Sequence, residues 1–203
     1  MSGLSTVGKM VLASGNPGKI REIARLLTPL GLEIVPQDAF GVAPAEEPHP
    51  TFVENALAKA RHAAAATGLP ALADDSGICV AALGGAPGVH SARYAGPAAS
   101  DADNNARLLD QMSEISDRRA HYYCVIVMLR HPNDPQPIIT EGEWHGEILR
   151  SPRGTRGFGY DPLFLDQHSG LTGAELAVSR KNLISHRGKA MRKLLRAMAQ
   201  SRS

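Results

Sequence analysis

The chain has 203 residues, 43% of them hydrophobic and 21% charged, which is typical of a globular protein with one domain or one domain of two lobes. Its formal net charge of +2 is too small to indicate nucleic-acid or membrane binding by itself. Cys79 and Cys124 form no zinc pattern and no disulfide framework, so a reducing compartment is expected. Because the first residues lack a signal-peptide core and no apolar run approaches the ~20 residues that span a bilayer, we expect a cytoplasmic protein.

The chain begins with a predicted strand, a tight loop and a helix. Residues 10–13 form a short apolar run, and apolar residues recur at helical spacing over residues 20–30. Asn16 suits the N-cap of this helix and Pro17 suits its first position.

The loop between this strand and helix is a candidate phosphate site. A helix N-terminus presents free N–H groups and partial positive charge, which favour an anion. Ser14 adds a hydroxyl group and Lys19 adds a cation in the first turn. The spacing differs from that of a P-loop, so an ordinary capped helix with a solvated lysine is the alternative.

A second strand is predicted at residues 32–35, and a proline-rich loop follows over residues 36–50. The loop contains an acidic pair, Glu46 and Glu47. Two interpretations stay open: a solvated charge pair, or a metal partner for Asp75 supplied by the loop.

A helix is predicted over residues 51–66, with a capping box formed by Thr51 and Glu54. Asn55 and Lys59 are four residues apart and therefore share one face of this helix. The helix is rich in alanine, so it should be slim enough to lie close to a sheet. Lys59 is either a surface residue or a phosphate ligand.

Two adjacent carboxylates, Asp74 and Asp75, follow a short apolar run. Mg²⁺ prefers carboxylate, water and phosphate oxygens, so the pair is a candidate metal site. We expect Ser76-Gly77 to turn the chain before another strand at residues 78–83. An Asp-rich turn without a metal is the alternative, because Asp, Ser and Gly all favour turns.

The middle of the chain is predicted to be mainly scaffold. A glycine-rich loop at residues 84–88 precedes Arg93, a candidate anion contact. A helix at residues 101–112 shows only structural features. Strands at residues 121–129 and 138–149 are expected to pair antiparallel.

A second unusual stretch, residues 154–162, has three glycines close to an aromatic residue. Glycines allow the backbone to approach a ligand closely, and Phe158 is a natural platform for a flat base. Asp161 could accept hydrogen bonds from ring N–H groups or cap a turn. A glycine-rich turn with a buried Phe158 is the alternative.

Three basic groups, Lys181, His186 and Arg187, lie near the end of the chain, before a predicted amphipathic helix that continues to about Met198. Histidine and arginine both donate hydrogen bonds, so they could recognise a purine oxygen or phosphate. Basic residues at the start of a helix are otherwise usually surface residues.

Taken in order, these segments resemble the inosine/xanthosine triphosphate pyrophosphatase family over about residues 10 to 198. The resemblance rests on the following blocks: Ser14-Gly15-Asn16 with Lys19, Thr51-Phe52 with Glu54-Asn55-Ala56 and Lys59-Ala60, Ala73-Asp74-Asp75-Ser76-Gly77, Gly85-Ala86-Pro87-Gly88 with Ser91-Ala92-Arg93-Tyr94, Gly157-Phe158-Gly159-Tyr160-Asp161-Pro162, and Ser185-His186-Arg187-Gly188. One departure is Arg180, where family members often carry an acidic residue.

The resemblance implies an α/β fold in which a long mixed β-sheet is flanked by helices, forming one catalytic domain of two lobes with a cleft between them. It also implies a homodimer that hydrolyses ITP, dITP and XTP to the monophosphate and pyrophosphate with Mg²⁺. By the same resemblance, Asp75 is the proton acceptor and a metal ligand, Glu46 is the second metal ligand, and Glu47 and Asp74 support them. The implied substrate contacts are Ser14, Gly15, Asn16, Pro17, Gly18, Lys19, Lys59, Ser76, Phe158, Gly159, Tyr160, Asp161, Lys181, His186 and Arg187.

Base selectivity is expected to depend on the 6-position of the purine. Inosine and xanthosine present an acceptor oxygen there, which His186 or Arg187 would favour over the amine of adenine. Two other classes stay open: another phosphohydrolase with the same site parts, and a non-catalytic nucleotide-binding or RNA-binding module.

Overall fold

The computed structural model describes residues 8–27 and 32–200. The strands within these residues are β1 (Lys9–Ala13), β2 (Glu33–Pro36), β3 (Ala71–Val80), β4 (Arg119–Leu129), β5 (Ile138–Ile148) and β6 (Phe164–Asp166). The α-helices are α1 (Pro17–Leu27), α2 (Phe52–Thr67), α3 (Asp101–Gln111), α4 (Val178–Ile184) and α5 (His186–Gln200).

The strands form one six-stranded sheet in the order β2-β1-β3-β4-β5-β6. Strand β1 is parallel to both of its neighbours, and Val11 lies opposite Val35 of β2 and Ala71 of β3. At the other edge, β6 pairs antiparallel with β5. Parallel neighbours require a crossover, and α1 supplies one between β1 and β2. The sheet is therefore mixed and flanked by helices, which confirms the predicted α/β fold class.

The chain divides into two compact units, and the division falls within β3, between Asp74 and Asp75. The first unit contains the chain up to Asp74, residues 126–140 and the chain from Leu194 onward. The second unit contains residues 75–125 and 141–193.

Helix α2 of the first unit lies against β1. Small side chains allow this close approach, as predicted from the alanine-rich sequence. The fully buried alanines of α2 are Ala56, Ala60, Ala63 and Ala64. Its first turn is capped as predicted, because the Thr51 side chain accepts a hydrogen bond from the backbone N–H of Glu54.

The core of the second unit is built around aromatic rings on β4, β5 and β6. The ring of Phe164 lies 4.8 Å, centroid to centroid, from each of the rings of Tyr122 and Trp144. Gly146 allows this packing, because a Cβ atom there would lie 2.6 Å from Cζ of the Phe164 ring. Apolar side chains of β3 and α3, among them Ile78 and Leu108, complete the cluster.

The turn predicted at Ser76-Gly77 is wrong, because β3 continues without interruption from Ala71 to Val80. Glycine occurs at position 77 for a different reason. A Cβ atom there would overlap the carbonyl oxygen of Gly88 and the hydroxyl oxygen of Ser91. The alternative interpretation of Asp74 and Asp75 as part of an Asp-rich turn is therefore also wrong, since both residues belong to a strand.

The other helix and strand predictions agree in position with the structure, apart from two omissions and the end of one strand. The predicted helix over residues 20–30 is seen as α1 up to Leu27, and its predicted end lies outside the described residues. Residues 81–83 form a short 3₁₀ helix rather than the end of a strand. Helix α4 and strand β6 were not predicted, because both are short and neither shows a clear period.

Candidate functional site

The loop between β1 and α1 is held by its own polar side chains. Asn16 Oδ1 accepts hydrogen bonds from the backbone N–H groups of Gly18 at 2.8 Å and Lys19 at 3.2 Å, which confirms Asn16 as the N-cap. Ser14 Oγ accepts the N–H of Asn16 at 3.3 Å. Pro17 is the first residue of α1, as predicted.

Lys19 is directed at a carboxylate of β3. Its Nζ lies 3.3 Å from Oδ2 of Asp74, whose side chain is fully buried. A buried carboxylate is costly unless it is paired, so Lys19 compensates the charge of Asp74. The adjacent Asp75 is also buried, with 5% of its surface exposed. Two neighbouring acidic residues are thus kept inside the protein within one strand.

The acidic loop, residues 42–50, is fastened to α2 by two side chains of the same helix face. Asn55 Oδ1 accepts the N–H of His49 at 3.0 Å, and Asn55 Nδ2 donates to the carbonyl of His49 at 3.0 Å. Lys59 Nζ donates to Oε1 of Glu47 at 2.7 Å. Glu46, the predicted metal ligand, is exposed. The lysine expected to contact phosphate is therefore placed beside the acidic loop by an ion pair.

The glycine loop, residues 157–161, is closed by the carboxylate of Asp161. Its Oδ2 accepts the backbone N–H of Phe158 at 2.9 Å and a hydrogen bond from Lys181 Nζ at 2.6 Å. A Cβ atom on Gly157 would overlap this carboxylate, and Gly157 has φ +78°, so glycine is required on both counts. Asp161 therefore caps the turn, one of the two roles predicted for it.

Two cations lie against the ring of Phe158. Lys181 Nζ is 5.0 Å and Arg187 Cζ is 5.8 Å from the ring centroid, within the range of cation–π interactions. Arg187 also donates to Ser76 Oγ at 2.9 Å. The same guanidinium group thus contacts the predicted aromatic platform and the residue that follows Asp75.

Helices α4 and α5 place the three basic residues singled out in the sequence. Lys181 lies in α4, and His186 and Arg187 open α5. The imidazole of His186 stacks on the ring of Tyr122, with centroids 4.6 Å apart and an interplanar angle of 6°. His186 and Arg187 are buried, at 6% and 3% exposure, so they are not the surface residues of the alternative interpretation.

Two tyrosines of the second unit, Tyr122 and Tyr160, have raised pKa values. Burial, followed by the nearby charges of Asp161 and other groups, raises the pKa of Tyr122 well above its usual value. Burial also raises the pKa of Tyr160, whose hydroxyl donates to the carbonyl of Ser91 at 2.8 Å. This bond fixes the end of the glycine loop next to Asp161.

Helix α3 contributes contacts that the sequence did not reveal. Oδ2 of Asp101 accepts the N–H of Gly159 at 2.6 Å, and Asn105 Nδ2 donates to the carbonyl of Gly159 at 2.9 Å. The sequence signal for these contacts is weak, because Asp101 and Asn105, four residues apart at the start of a helix, also fit a solvent-exposed helix face. Because Asn105 and Gly159 are 54 positions apart in the chain, no local pattern could connect them.

The structure thus groups the predicted residues into clusters. Ser14, Asn16, Lys19 and Asp74 form one, and Glu47 and Lys59 form another. Ser76, Phe158, Asp161, Lys181 and Arg187 form the third, with His186 beside Arg187 at the start of α5. Within residues 8–27 and 32–200, no helix is long and apolar enough to cross a membrane.

Comparisons with known proteins agree on one family. The Ham1 family model matches residues 10–197. A dITP/XTP pyrophosphatase of Aromatoleum aromaticum is 62% identical over 187 residues, which cover 92% of this chain and 94% of that protein. A dITP/XTP pyrophosphatase of Nitrosomonas europaea is 60% identical over 195 residues, covering 96% of each chain.

Similarity to a solved structure supports the same assignment. A HAM1 protein from Coxiella burnetii matches with a TM-score of 0.89 and 49% sequence identity, and the match covers 95% of this chain and 99% of that chain. The family model, the relatives and the fold therefore lead to one conclusion: the chain belongs to the Ham1 family.

Proposed function

We propose that this protein hydrolyses deaminated purine nucleoside triphosphates (ITP, dITP and XTP) to the monophosphate and pyrophosphate. Its role would be to remove these nucleotides before they enter DNA and RNA. Relatives named dITP/XTP pyrophosphatase, at about 60% identity over nearly the whole chain, support the reaction. The structural observation that carries the proposal is Arg187, which contacts Ser76, next to Asp75, and also the ring of Phe158.

We propose Mg²⁺ as the cofactor, held by Asp75 and Glu46. In the described part of the chain, no group of three or more His, Cys, Asp or Glu side chains forms a metal cage. Mg²⁺ usually takes only one or two carboxylates and completes its shell with water and substrate phosphates, so a two-carboxylate donor set fits. When bound, the metal would neutralise triphosphate oxygens.

In this proposal Asp75 orients the attacking water and accepts its proton. A carboxylate is a weak base, so the positioning of the water should contribute more to the rate than basicity. Lys19 and Lys59 stabilise the negative charge that develops on the departing pyrophosphate. In support, each lysine forms an ion pair with a carboxylate, Asp74 or Glu47 respectively.

The base is proposed to lie on Phe158, with His186 and Arg187 as donors for the 6-oxygen of the purine. Adenine presents an amine at this position, so two donors would face each other and one would lose its partner. Buried donors discriminate more strongly than exposed ones, and both residues are buried. We further propose that the protein acts as a homodimer in the cytoplasm, and neither a nucleic acid nor a membrane is an expected partner.

Product analysis of ITP hydrolysis tests this proposal. The expected products, followed by ³¹P NMR, are inosine monophosphate and pyrophosphate, formed with Mg²⁺ and not with a chelator. Inosine diphosphate and inorganic phosphate would instead indicate another phosphohydrolase. Binding of ITP without any product would indicate a non-catalytic nucleotide-binding protein.

A further inference from the structure

The first turns of α3 hold both backbone polar groups of a single loop residue. Asp101 Oδ2 accepts the N–H of Gly159 at 2.6 Å, and Asn105 Nδ2 donates to its carbonyl oxygen at 2.9 Å. The two side chains are four residues apart, so they lie on the same face of the helix. Because a carboxylate accepts an amide hydrogen more strongly than a neutral group does, the Asp101 bond is the stronger of the two.

The orientation of the Asn105 amide follows from its partners. Its Nδ2 also donates to the backbone carbonyl of Asp101 at 2.7 Å. Both partners are carbonyl oxygens, so only the NH₂ group can face them. Oδ1 of Asn105 is buried and accepts no hydrogen bond from the residues that the structure describes. A buried acceptor without a partner is unfavourable, so the two donated bonds must offset this cost.

The glycine loop needs external support at this point. Gly157 and Gly159 both have positive φ, +78° and +61°, and glycine has the largest conformational freedom of any residue. A Cβ atom on Gly159 would meet nothing within 4 Å, so packing does not restrain this side of the residue. The hydrogen bonds from α3 therefore restrain the backbone of Gly159 directly.

Restraining Gly159 also restrains Phe158. The N–H of Gly159 belongs to the peptide group that joins it to Phe158, so the Asp101 bond fixes the plane after the aromatic residue. The N–H of Phe158, held by Asp161 at 2.9 Å, fixes the plane before it. With both planes fixed, the Cα–Cβ bond of Phe158 has a set direction, and its ring lies against Lys181 and Arg187.

We propose that Asp101 and Asn105 are positioning residues that set the affinity and selectivity of this enzyme for the purine base. The inference rests on the proposed function, in which Phe158 carries the base. The two residues act through the loop and do not touch the phosphates. Their loss should therefore weaken recognition of the base and leave recognition of pyrophosphate unchanged.

The test uses Asp101→Ala, Asp101→Asn and Asn105→Ala in the full chain. For Asp101→Ala we expect the KM for ITP to rise about tenfold, with a smaller change in kcat, since a charge-assisted hydrogen bond is lost. The ratio of kcat/KM for ITP to that for ATP should fall. Asp101→Asn keeps an acceptor oxygen and should recover part of the loss. Calorimetry should show weaker binding of inosine monophosphate and unchanged binding of pyrophosphate.

Asp103→Ala is the matched control. Asp103 lies in the same turn and completes the capping box with Ser100, but no bond joins its side chain to the glycine loop among the contacts that the structure describes. This variant should lose thermal stability and keep its base selectivity. Equal loss of selectivity in Asp103→Ala and Asp101→Ala would overturn the proposal, because the effect would then come from the helix.

The outcomes also separate this inference from the proposed function. If the unmodified protein releases pyrophosphate from ITP but Asp101→Ala keeps its selectivity, the inference fails and the function stands. If the unmodified protein releases none, the function fails, and the calorimetric comparison still decides whether Asp101 supports base binding. Should Asp101→Ala not fold, Asp101→Asn and Asn105→Ala carry the same comparison.

Discussion

Two loops of this protein, the acidic loop and the glycine loop, are held by helices in the same manner. In each, side chains of one helix bond the N–H and the carbonyl group of a single loop residue. Asn55 of α2 makes both bonds to His49 alone, whereas Asp101 and Asn105 of α3 share the bonds to Gly159. The acidic loop carries the proposed metal ligand, and the glycine loop carries the proposed base platform.

The difference lies in burial and charge. Asn55 is fully buried, while Asp101 is exposed and Asn105 is partly buried. Water can therefore reach the exposed Asp101 side of the contact with Gly159, whereas the Asn55 side chain is closed to it. The hydrogen bonds of Asn55 to His49 therefore contribute mainly to stability. Those of Asp101 and Asn105 to Gly159 mainly position a loop that remains accessible to a ligand.

The largest effect on turnover should come from Asp75, which forms no part of the contacts that hold the two loops. For Asp75→Asn we expect a loss in kcat of about 10²–10⁴-fold, because the proton acceptor is removed while its shape is kept. Stopped assays of pyrophosphate release measure the loss, and calorimetry with a non-hydrolysable ITP analogue should show that binding is largely retained. Normal turnover in this variant would remove Asp75 from the mechanism.

The variants Asn55→Ala and Asn105→Ala test the difference in stability contribution between the two loops. Asn55→Ala leaves two backbone groups of His49 without their partner, so we expect a loss of about 1–3 kcal/mol in the free energy of unfolding. Asn105→Ala should lose less, because the substitution also removes the buried Oδ1 atom, which accepts no hydrogen bond from the described residues. Denaturant unfolding of both variants measures the difference, and an equal or larger loss in Asn105→Ala would contradict the distinction drawn between the loops.

A smaller change is expected for Lys59→Met, which removes the ion pair with Glu47. The Lys59 and Glu47 side chains are 10% and 27% exposed, and methionine keeps the apolar stem of the lysine, so we expect a stability loss of about 1 kcal/mol from the lost ion pair. The KM for ITP should nevertheless rise, since a phosphate-binding cation is lost. Arg61→Met, which alters an exposed cation on the same helix, is the control and should leave the KM unchanged.

The last and smallest expected effect is slow alkylation of the Cys79 thiol. Burial, with the nearby negative charge of Glu143, raises the pKa of the Cys79 thiol to about 11. The thiolate is the reactive form, so at pH 8 it should be about 100-fold scarcer than for an ordinary thiol, and modification should accelerate as pH rises toward 11. Mass spectrometry after iodoacetamide treatment measures the rate; rapid modification of the folded protein at pH 8 would contradict this environment.

Local patterns in the sequence are sufficient for strands β1, β2, β4 and β5 and for the caps of α1 and α2. Asn16 and Thr51 can be recognised as caps because each side chain accepts a hydrogen bond from a backbone N–H only two or three residues further along the chain. The sequence predicts a turn at Gly77, but the constraint on this residue is the carbonyl oxygen of Gly88, a close contact that the sequence does not display.

The hydrogen bonds that hold the glycine loop could not be predicted either, because they join segments that are distant in the sequence. Asp101 and Gly159 are 58 positions apart, and their bond exists only once α3 and the loop have folded. Helix α3 was therefore interpreted as scaffold. The clustering of Phe158 with Lys181 and Arg187 also depends on tertiary structure, although the family resemblance had already placed these residues at the substrate.

The most direct test of the account is the rate of pyrophosphate release by the unmodified protein from ITP, XTP, ATP and GTP, with Mg²⁺ and with chelator. The account predicts strong Mg²⁺-dependent release from ITP and XTP and little from ATP and GTP. Equal release from all four would preserve the reaction but contradict the base-reading roles of His186 and Arg187, and no release from any of them would contradict the proposed function itself.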